Sequence, residues 1–248
     1  MKIENRVALI TGSGQGIGKA IAQTFAGEGA KIAINDVPFN EAKALATLAE
    51  LRAAGVDAEL FLADVTKEDE VDAMVEAVRA RFGRVDILVN NAGINRDGLL
   101  HKGSLANWDA VMAVNLTGPF ICTKAVLPSM RAQGYGRIVN MSSLTGRVGI
   151  FGTGYYGTSK TGLVGLTKIT AVENVSKGIT CNALAPGYVN TDMMNKYPED
   201  QLTALIASIP MGRFAEPKEL ADAALFLASD ASAYITGAVL DINGGSFI

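Results

Sequence analysis

Short apolar runs rich in β-branched residues alternate along the chain with longer segments whose apolar residues recur at helical spacing. The run "RVALITG" stops at Gly12 and reads as a strand; "GIGKAIAQTFAGEG" follows with Ile17, Ile21 and Phe25 on one helical face. The pattern repeats. "KIAIND", "AELFLAD", "DILVNNAG", "GRIVNMSS", "ITCNALAPG" and "GAVLDING" read as further strands. Helical patterns occupy 40–55, 68–83, about 104–132, 155–178 and 216–229, the last with Pro217 in its first turn. The strands are continuous apolar runs rather than half-polar ones, as in a parallel sheet covered on both faces. Right-handed crossovers then favour an open, doubly wound sheet. The expected fold is therefore a single α/β domain spanning 1–248, with about seven parallel strands and helices on both faces. One stretch breaks the alternation. Residues 189–214 carry Met193, Met194, Met211, Tyr197 and two prolines, and are expected to form a substrate-binding lid.

Composition narrows the classes. The 248 residues are 49% hydrophobic with a formal net charge of −3, and no basic block stands out, which argues against nucleic acid or an anionic membrane as partner. The apolar run at the N-terminus is too short for a secretory signal, and no unbroken apolar run approaches the ~18 residues of a membrane span. A cytoplasmic protein is expected. Cys122 and Cys181 lie in apolar segments and read as small buried hydrophobes, so no disulfide framework and no metal site is expected. With His101 as the sole histidine, a His-based triad is disfavoured.

The first strand opens into "TGSGQGIG". The pattern G-x-G-x-x-G fails because position 17 is Ile; the spacing present is T-G-x-x-x-G-x-G, with Gly12, Gly16 and Gly18. Glycines there permit a tight turn and close backbone approach to a ligand, and the helix that follows presents unpaired N–H groups and the positive end of its dipole. Together these favour a pyrophosphate and make the sheet Rossmann-type. Asp36 ends the second strand, where a carboxylate accepts hydrogen bonds from ribose hydroxyls and repels a 2′-phosphate. Position 15 is Gln and position 37 is Val, neither supplying positive charge, so the expected cofactor is NAD. Asp64 and "NNAG" (90–93) fall on the same carboxyl edge of the sheet.

In "YYGTSK", Tyr156 and Lys160 are four residues apart and share a helix face. A phenol is a poor base at neutral pH, and an adjacent ammonium favours its ionised form. Such a pair beside a nicotinamide can pass a proton to or from a substrate oxygen. Tyr155 is five residues from the lysine and is expected to point elsewhere. Ser142 and Ser143 end a strand on the ligand edge, where a hydroxyl can orient the same oxygen. Asn115 is polar amid apolar neighbours and would interrupt its helix unless it held a backbone group or a water.

These motifs, in this order and spacing, and running over essentially the whole chain, resemble the short-chain dehydrogenase/reductase family. The resemblance implies a tetrad: Tyr156 as acid/base, Lys160 lowering its pKa and binding the nicotinamide ribose, Ser143 holding the substrate oxygen, and Asn115 positioning a water. It implies that Gly12, Gln15, Gly16, Ile17 and Gly18 meet the pyrophosphate side of the cofactor and that Asp36, Asp64, Val65 and Asn90 lie near adenosine. Asn91, Ala92 and Gly93 would follow along the same edge, and Pro186, Gly187, Val189 and Thr191 would meet the carboxamide end. Ile94, Leu144, Phe151, Tyr188, Met193 and Met194 are candidates for the substrate pocket. A homotetramer is implied as well, with Phe247 and Ile248 of the tail buried against another chain.

Within the family, "NNAGINRDGLL", "GRVGIFG", "VSKGITCNALAPGYVNTDM" and "IPMGRFAEP" look most like 3-oxoacyl carrier-protein reductases and acetoacetyl-CoA reductases. Those mostly use NADPH with a basic residue in the first turn, where this chain has Gln15. Near the serine strand the chain offers Arg131 and Arg137 with Gly134 between them. The expected activity is NAD(H)-dependent interconversion of a secondary alcohol and a ketone on a small-molecule substrate. A 3-oxoacyl/3-hydroxyacyl thioester leads, with a small secondary alcohol or a polyol as the alternative. A non-catalytic dinucleotide sensor on the same fold would be expected to lack part of the tetrad, and all four members are present.

Overall fold

The computed structural model describes residues 3–192, 194 and 197–247. Seven strands form one parallel sheet: β1 (Val7–Thr11), β2 (Lys31–Asp36), β3 (Ala58–Leu62), β4 (Ile87–Asn90), β5 (Gly136–Met141), β6 (Ile179–Pro186) and β7 (Val239–Ile242). Their spatial order is β3-β2-β1-β4-β5-β6-β7. The chain winds outward from β1 in one direction and then, from β4, in the other. This reversal opens a crevice at the carboxyl ends of β1 and β4, the usual ligand position in such sheets.

The α-helices among the described residues are α1 (Gly16–Gly27), α2 (Glu41–Ala53), α3 (Glu68–Phe82), α4 (Leu105–Met112), α5 (Gly118–Gln133), α6 (Gly154–Asn174), α7 (Glu199–Ala207) and α8 (Pro217–Ala228). The continuous apolar runs of the strands find their reason in two cores. On β1, Ala8 and Ile10 face one way and pack with Ile21 and Phe25 of α1, Leu48 and Leu51 of α2 and Leu225 of α8. Val7 and Leu9 face the other way, with Val71 and Val78 of α3, Ile121 and Val126 of α5 and Ala171 of α6. A strand whose side chains alternate between two buried faces has no polar positions to spare. Cys122 and Cys181 are buried in the second core as unpaired thiols, and burial pushes the Cys122 thiol up to about 12. No cluster of metal-ligating side chains occurs among the described residues.

The long helical stretch near 104–132 is one continuous helix with a π-helical turn at Ala113–Thr117, centred on the buried Asn115. Leu105–Gln133 has the length and mean hydropathy, 1.5, that a membrane span would need. Here Ile121, Val126 and Met130 pack into the second core with the sheet residues Leu88, Ile138 and Ile179, and Val111 is buried. The irregular segment contains α7, and its two ends are tied together. Asn190 N–H donates to the Ala215 carbonyl at 2.8 Å and Ala215 N–H to the Tyr188 carbonyl at 3.0 Å. In the tail, Phe247 is half-buried, its carbonyl bonded by the Asn243 amide and its ring 5.6 Å from the Arg147 guanidinium. Met193 and Ile248 lie outside the described residues.

Candidate active site

A cavity of about 1070 Å³ follows the carboxyl edge of the sheet from Asp36 past the first turn to Tyr188 and Tyr197. At one end the turn after β1 requires its glycines. Gly12 and Gly16 have φ of +62° and +56°, the left-handed region, and a Cβ on Gly12 would sit 2.9 Å from the Ala92 Cα. Gln15, at the N-cap of α1, makes no side-chain cap, and Gly16 and Ile17 open the helix on the cavity wall.

Two glycines serve packing rather than the wall. Gly18, expected at the cofactor, stands behind it: a Cβ there would lie 2.4 Å from the Gly12 carbonyl oxygen and 2.6 Å from Asn91 Nδ2. Its role is to let α1 close on the turn. Gly14, outside the motif, donates its N–H to Asp36 Oδ2 at 2.9 Å, and a Cβ there would press on that oxygen at 2.7 Å and on the Ala44 backbone.

Asp36 is buried at the end of β2 and lines the cavity. Its carboxylate accepts from Gly14 N–H, from Val37 N–H at 3.0 Å and from the Asn40 amide at 2.9 Å, so its orientation is fixed. Lys19, on the cavity wall, pairs with Glu50 at 2.7 Å, and Lys43 bonds Gln15. Asp64 and Val65 line the next stretch, with Asp64 Oδ1 accepting from the Thr66 N–H and hydroxyl. Asn91, Ala92 and Gly93 are on the wall, while Asn91 and Ala92 are also clamped to the first turn through the Thr11 hydroxyl and through the Thr11 and Gly12 carbonyls. Asn90, expected near adenosine, keeps its side chain off the wall; it is buried beneath it and donates to Asn140 Oδ1 at 2.8 Å and the Thr123 hydroxyl at 3.2 Å.

At the other end the tetrad candidates converge. Asn115 spends its whole amide: Oδ1 accepts from Ile94 N–H at 2.8 Å, and Nδ2 donates to the Ile94 carbonyl at 2.9 Å and to Ser159 Oγ at 3.2 Å. The π turn thus turns a polar side chain inside a helix onto a backbone segment outside it. The two serines part. Ser142 donates to the Lys160 carbonyl at 3.0 Å, while the Ser143 hydroxyl stands beside that of Tyr156 and favours its ionised form.

Tyr156 and Lys160 project from one face of α6 onto the wall, with Lys160 Nζ 5.4 Å from the Tyr156 ring centroid. Burial alone pushes the Lys160 ammonium down to about 8, and it donates to the Met141 carbonyl at 2.7 Å. Burial also pushes the Tyr156 phenol up, against the neighbouring Ser143 hydroxyl and with help from the Asp97 charge. The lowering expected from Lys160 is therefore absent in this arrangement: the ammonium sits over the ring and on a carbonyl, and desolvation dominates. Tyr155 does point elsewhere. It is buried edge-on against Trp108, centroids 6.0 Å apart, with its hydroxyl unpartnered beside Gly103.

Ile94, Leu144, Tyr188 and Met194 line the cavity, as do Pro186, Gly187, Val189 and Thr191. Phe151 does not: it is 90% exposed on the outside of its loop, and Ile150 and Thr153 take the wall positions. Asn95 and Arg96 also line it and were not anticipated, while Asp192 and Tyr197 line it from the segment expected to form the lid. Asn95 and Arg96 directly follow "NNAGI", and that adjacency was the available signal.

The sheet, the cavity at its switch point and the Ser–Tyr–Lys grouping define a class: dinucleotide-dependent oxidoreductases built on one Rossmann-type sheet. Residues 12–246 match a family model described as enoyl-(acyl carrier protein) reductase. The chain is 44% identical to a 3-oxoacyl-[acyl-carrier-protein] reductase of Thermotoga maritima and 40% identical to that of Escherichia coli K12, each match covering 100% of both chains. Among solved structures it is similar to a provisionally assigned gluconate dehydrogenase of Agrobacterium tumefaciens, with a TM-score of 0.95 and 35% identity over 99% of this chain and 97% of the other. The chain belongs to the short-chain dehydrogenase/reductase family. It is an oxidoreductase acting on CH–OH donors, and its family uses a nicotinamide dinucleotide.

Proposed function

We propose that this protein interconverts a 3-hydroxyacyl and a 3-oxoacyl thioester with NAD(H). The cavity fits a dinucleotide by its volume and by a glycine turn with no room for side chains. Gly12, Gln15, Gly16 and Ile17 would hold the pyrophosphate, Asp36 the adenosine ribose, Asp64 and Val65 the adenine side, and Pro186, Gly187, Val189 and Thr191 the carboxamide end. The bound cofactor supplies or accepts the hydride. Tyr156, which burial keeps protonated, delivers its proton to the carbonyl oxygen during reduction. Ser143 orients that oxygen, Lys160 holds the cofactor ribose beside Tyr156, and Asn115 secures Ile94 at the pocket wall.

The observation that carries the choice of NAD is Asp36. Its buried carboxylate, aimed by three donors, meets ribose hydroxyls and repels a 2′-phosphate, while Lys19 and Lys43 are engaged with Glu50 and Gln15. The thioester reading is supported by the names of the relatives at 40% and 44% identity. A polyol or small secondary alcohol is the second reading, favoured by the likeness to the gluconate dehydrogenase fold and by the polar Asn95 and Arg96 on the wall. We further propose a homotetramer: Phe120 of α5 and Ile169 and Val172 of α6 are more than half exposed, an apolar surface that a second copy would cover.

Initial rates with both cofactors, over a panel of acetoacetyl-CoA, small ketones and sugar acids, test the reading. NADH should exceed NADPH in kcat/KM by at least about tenfold, or ~1.4 kcal/mol. Asp36→Ala should narrow that gap. Equal use of NADPH by the unaltered enzyme refutes the cofactor assignment.

A further inference from the structure

The loop between β4 and α4 forms the substrate-side wall and is pinned at two points. At Ile94 the Asn115 amide holds both the N–H and the carbonyl. At Asp97, three residues on, carboxylate oxygen Oδ1 accepts from the backbone N–H groups of Tyr155 at 3.2 Å and Tyr156 at 2.9 Å. Asn95 and Arg96, between these points, line the cavity.

Helix α6 has no cap of its own. Thr153, at its N-cap, makes no side-chain bond to the helix and donates its hydroxyl to the Ile150 carbonyl instead. The acceptor that the first turn lacks comes from Asp97, 59 residues before Tyr156. A carboxylate is the preferred group at that end of a helix, because it meets unpaired N–H donors and the positive dipole end. The loop is also pressed on the helix: a Cβ on Gly154 would lie 2.6 Å from Leu100 Cδ2. The second oxygen of Asp97, Oδ2, is buried without a partner.

We infer that Asp97 is a positioning residue of the reaction: it caps, from outside, the helix that carries Tyr156 and Lys160 and locks that helix to the loop facing the substrate. The inference rests on the proposed role of Tyr156. Its consequence is that the substrate wall and the proton carrier share one anchor, so the phenol keeps its distance to a ketone held against Asn95 and Arg96. The groups facing the phenol are Lys160 on its own helix, Ser143 after β5 and Asp97 on the loop. Asp97 is the carboxylate among them, and its charge helps to keep the phenol protonated.

The test compares Asp97→Ala, which removes acceptor and charge, with Asp97→Asn, which keeps an acceptor oxygen and removes the charge. Tyr156→Phe serves as control. The readouts are steady-state reduction of the best substrate in the panel above, cofactor affinity by fluorescence of the reduced nicotinamide, and tyrosinate absorbance titrated against pH and differenced against Tyr156→Phe. Asp97→Ala should lower kcat by about tenfold or more while leaving cofactor affinity within about twofold. Asp97→Asn should recover most of kcat, and its phenol should ionise at lower pH than in the unaltered enzyme. Full kcat in Asp97→Ala, no recovery in Asp97→Asn, or cofactor affinity lost in step with kcat would each overturn the inference. Should Asp97→Ala not fold, the Asn variant decides alone: an unshifted phenol or a tenfold loss of kcat overturns it. If Tyr156→Phe keeps turnover, it is the reading of the active site that falls. If Tyr156→Phe is inactive while Asp97→Ala is unimpaired, only the role of Asp97 falls.

Discussion

Lys160→Met should stabilise the protein at neutral pH while abolishing turnover. The site holds the Lys160 ammonium almost without exposure, and burial moves its pKa from 10.5 to about 8. Each tenfold change in proton affinity corresponds to ~1.4 kcal/mol, so at pH 7 the fold carries a penalty of about 3 kcal/mol for keeping this group charged. Methionine has a similar shape and no charge. It leaves the Met141 carbonyl without the donor that Lys160 supplied at 2.7 Å, an offset of roughly 1–2 kcal/mol. The expected net gain is roughly 1–2 kcal/mol, or about 3–6 °C in Tm for a chain of this length.

The pH dependence gives the sharper test. The folded-state pKa lies below the unfolded one, so below about pH 8 both states are charged and the penalty is complete. As pH rises from about 8 towards 10.5, the folded lysine becomes neutral while the unfolded one stays charged. The unfolded state then binds more protons, and the wild-type protein gains stability. The advantage of Lys160→Met should therefore shrink steadily above pH 8. Urea unfolding of both proteins at pH 7, 8 and about 9.5 measures it. A variant less stable than the parent at pH 7, or an advantage constant across that range, would show that burial is not what depresses this lysine.

Tyr155→Phe removes a buried hydroxyl with no partner; it should leave kcat within about twofold and raise stability by about 1 kcal/mol in thermal unfolding, whereas Tyr156→Phe should retain cofactor binding and lose at least about a hundredfold in kcat. Gly18→Ala would push a methyl group to 2.4 Å from the Gly12 carbonyl; it should cost about 2 kcal/mol or more in unfolding and weaken cofactor binding, with no effect on either counting against the packing role assigned to this glycine. Light scattering of the purified protein should give the mass of about four chains, and paired lysine substitutions at Ile169 and Val172 should reduce it, while a stable, active monomer at micromolar concentration would refute the assembly.

The sequence by itself determined what depends on local spacing. The central apolar runs need two buried faces, and a chain that alternates such runs with helices has few ways to fold other than this sheet. The glycine turn and the Tyr156–Lys160 pair were legible for the same reason: a tight turn needs glycine wherever it occurs, and residues four apart share a helix face in any context. What depended on which segments meet could not be read. Gly18 and Asn90 belong to the right motifs, yet the tertiary packing sets them behind the wall, against Gly12 and Asn140 respectively. Phe151 looked like a pocket residue by its place in the chain, and the turn of its loop faces it outward. The electrostatics diverged most. Spacing put an ammonium near a phenol, but only the fold decided that burial would move both groups toward their neutral forms. The cap on α6 is likewise a tertiary fact, since Asp97 reaches Tyr156 across 59 residues of chain and no periodicity marks a partner at that distance. Short-range geometry is carried by the covalent chain; desolvation and long-range hydrogen bonds exist only once the whole chain has closed around them.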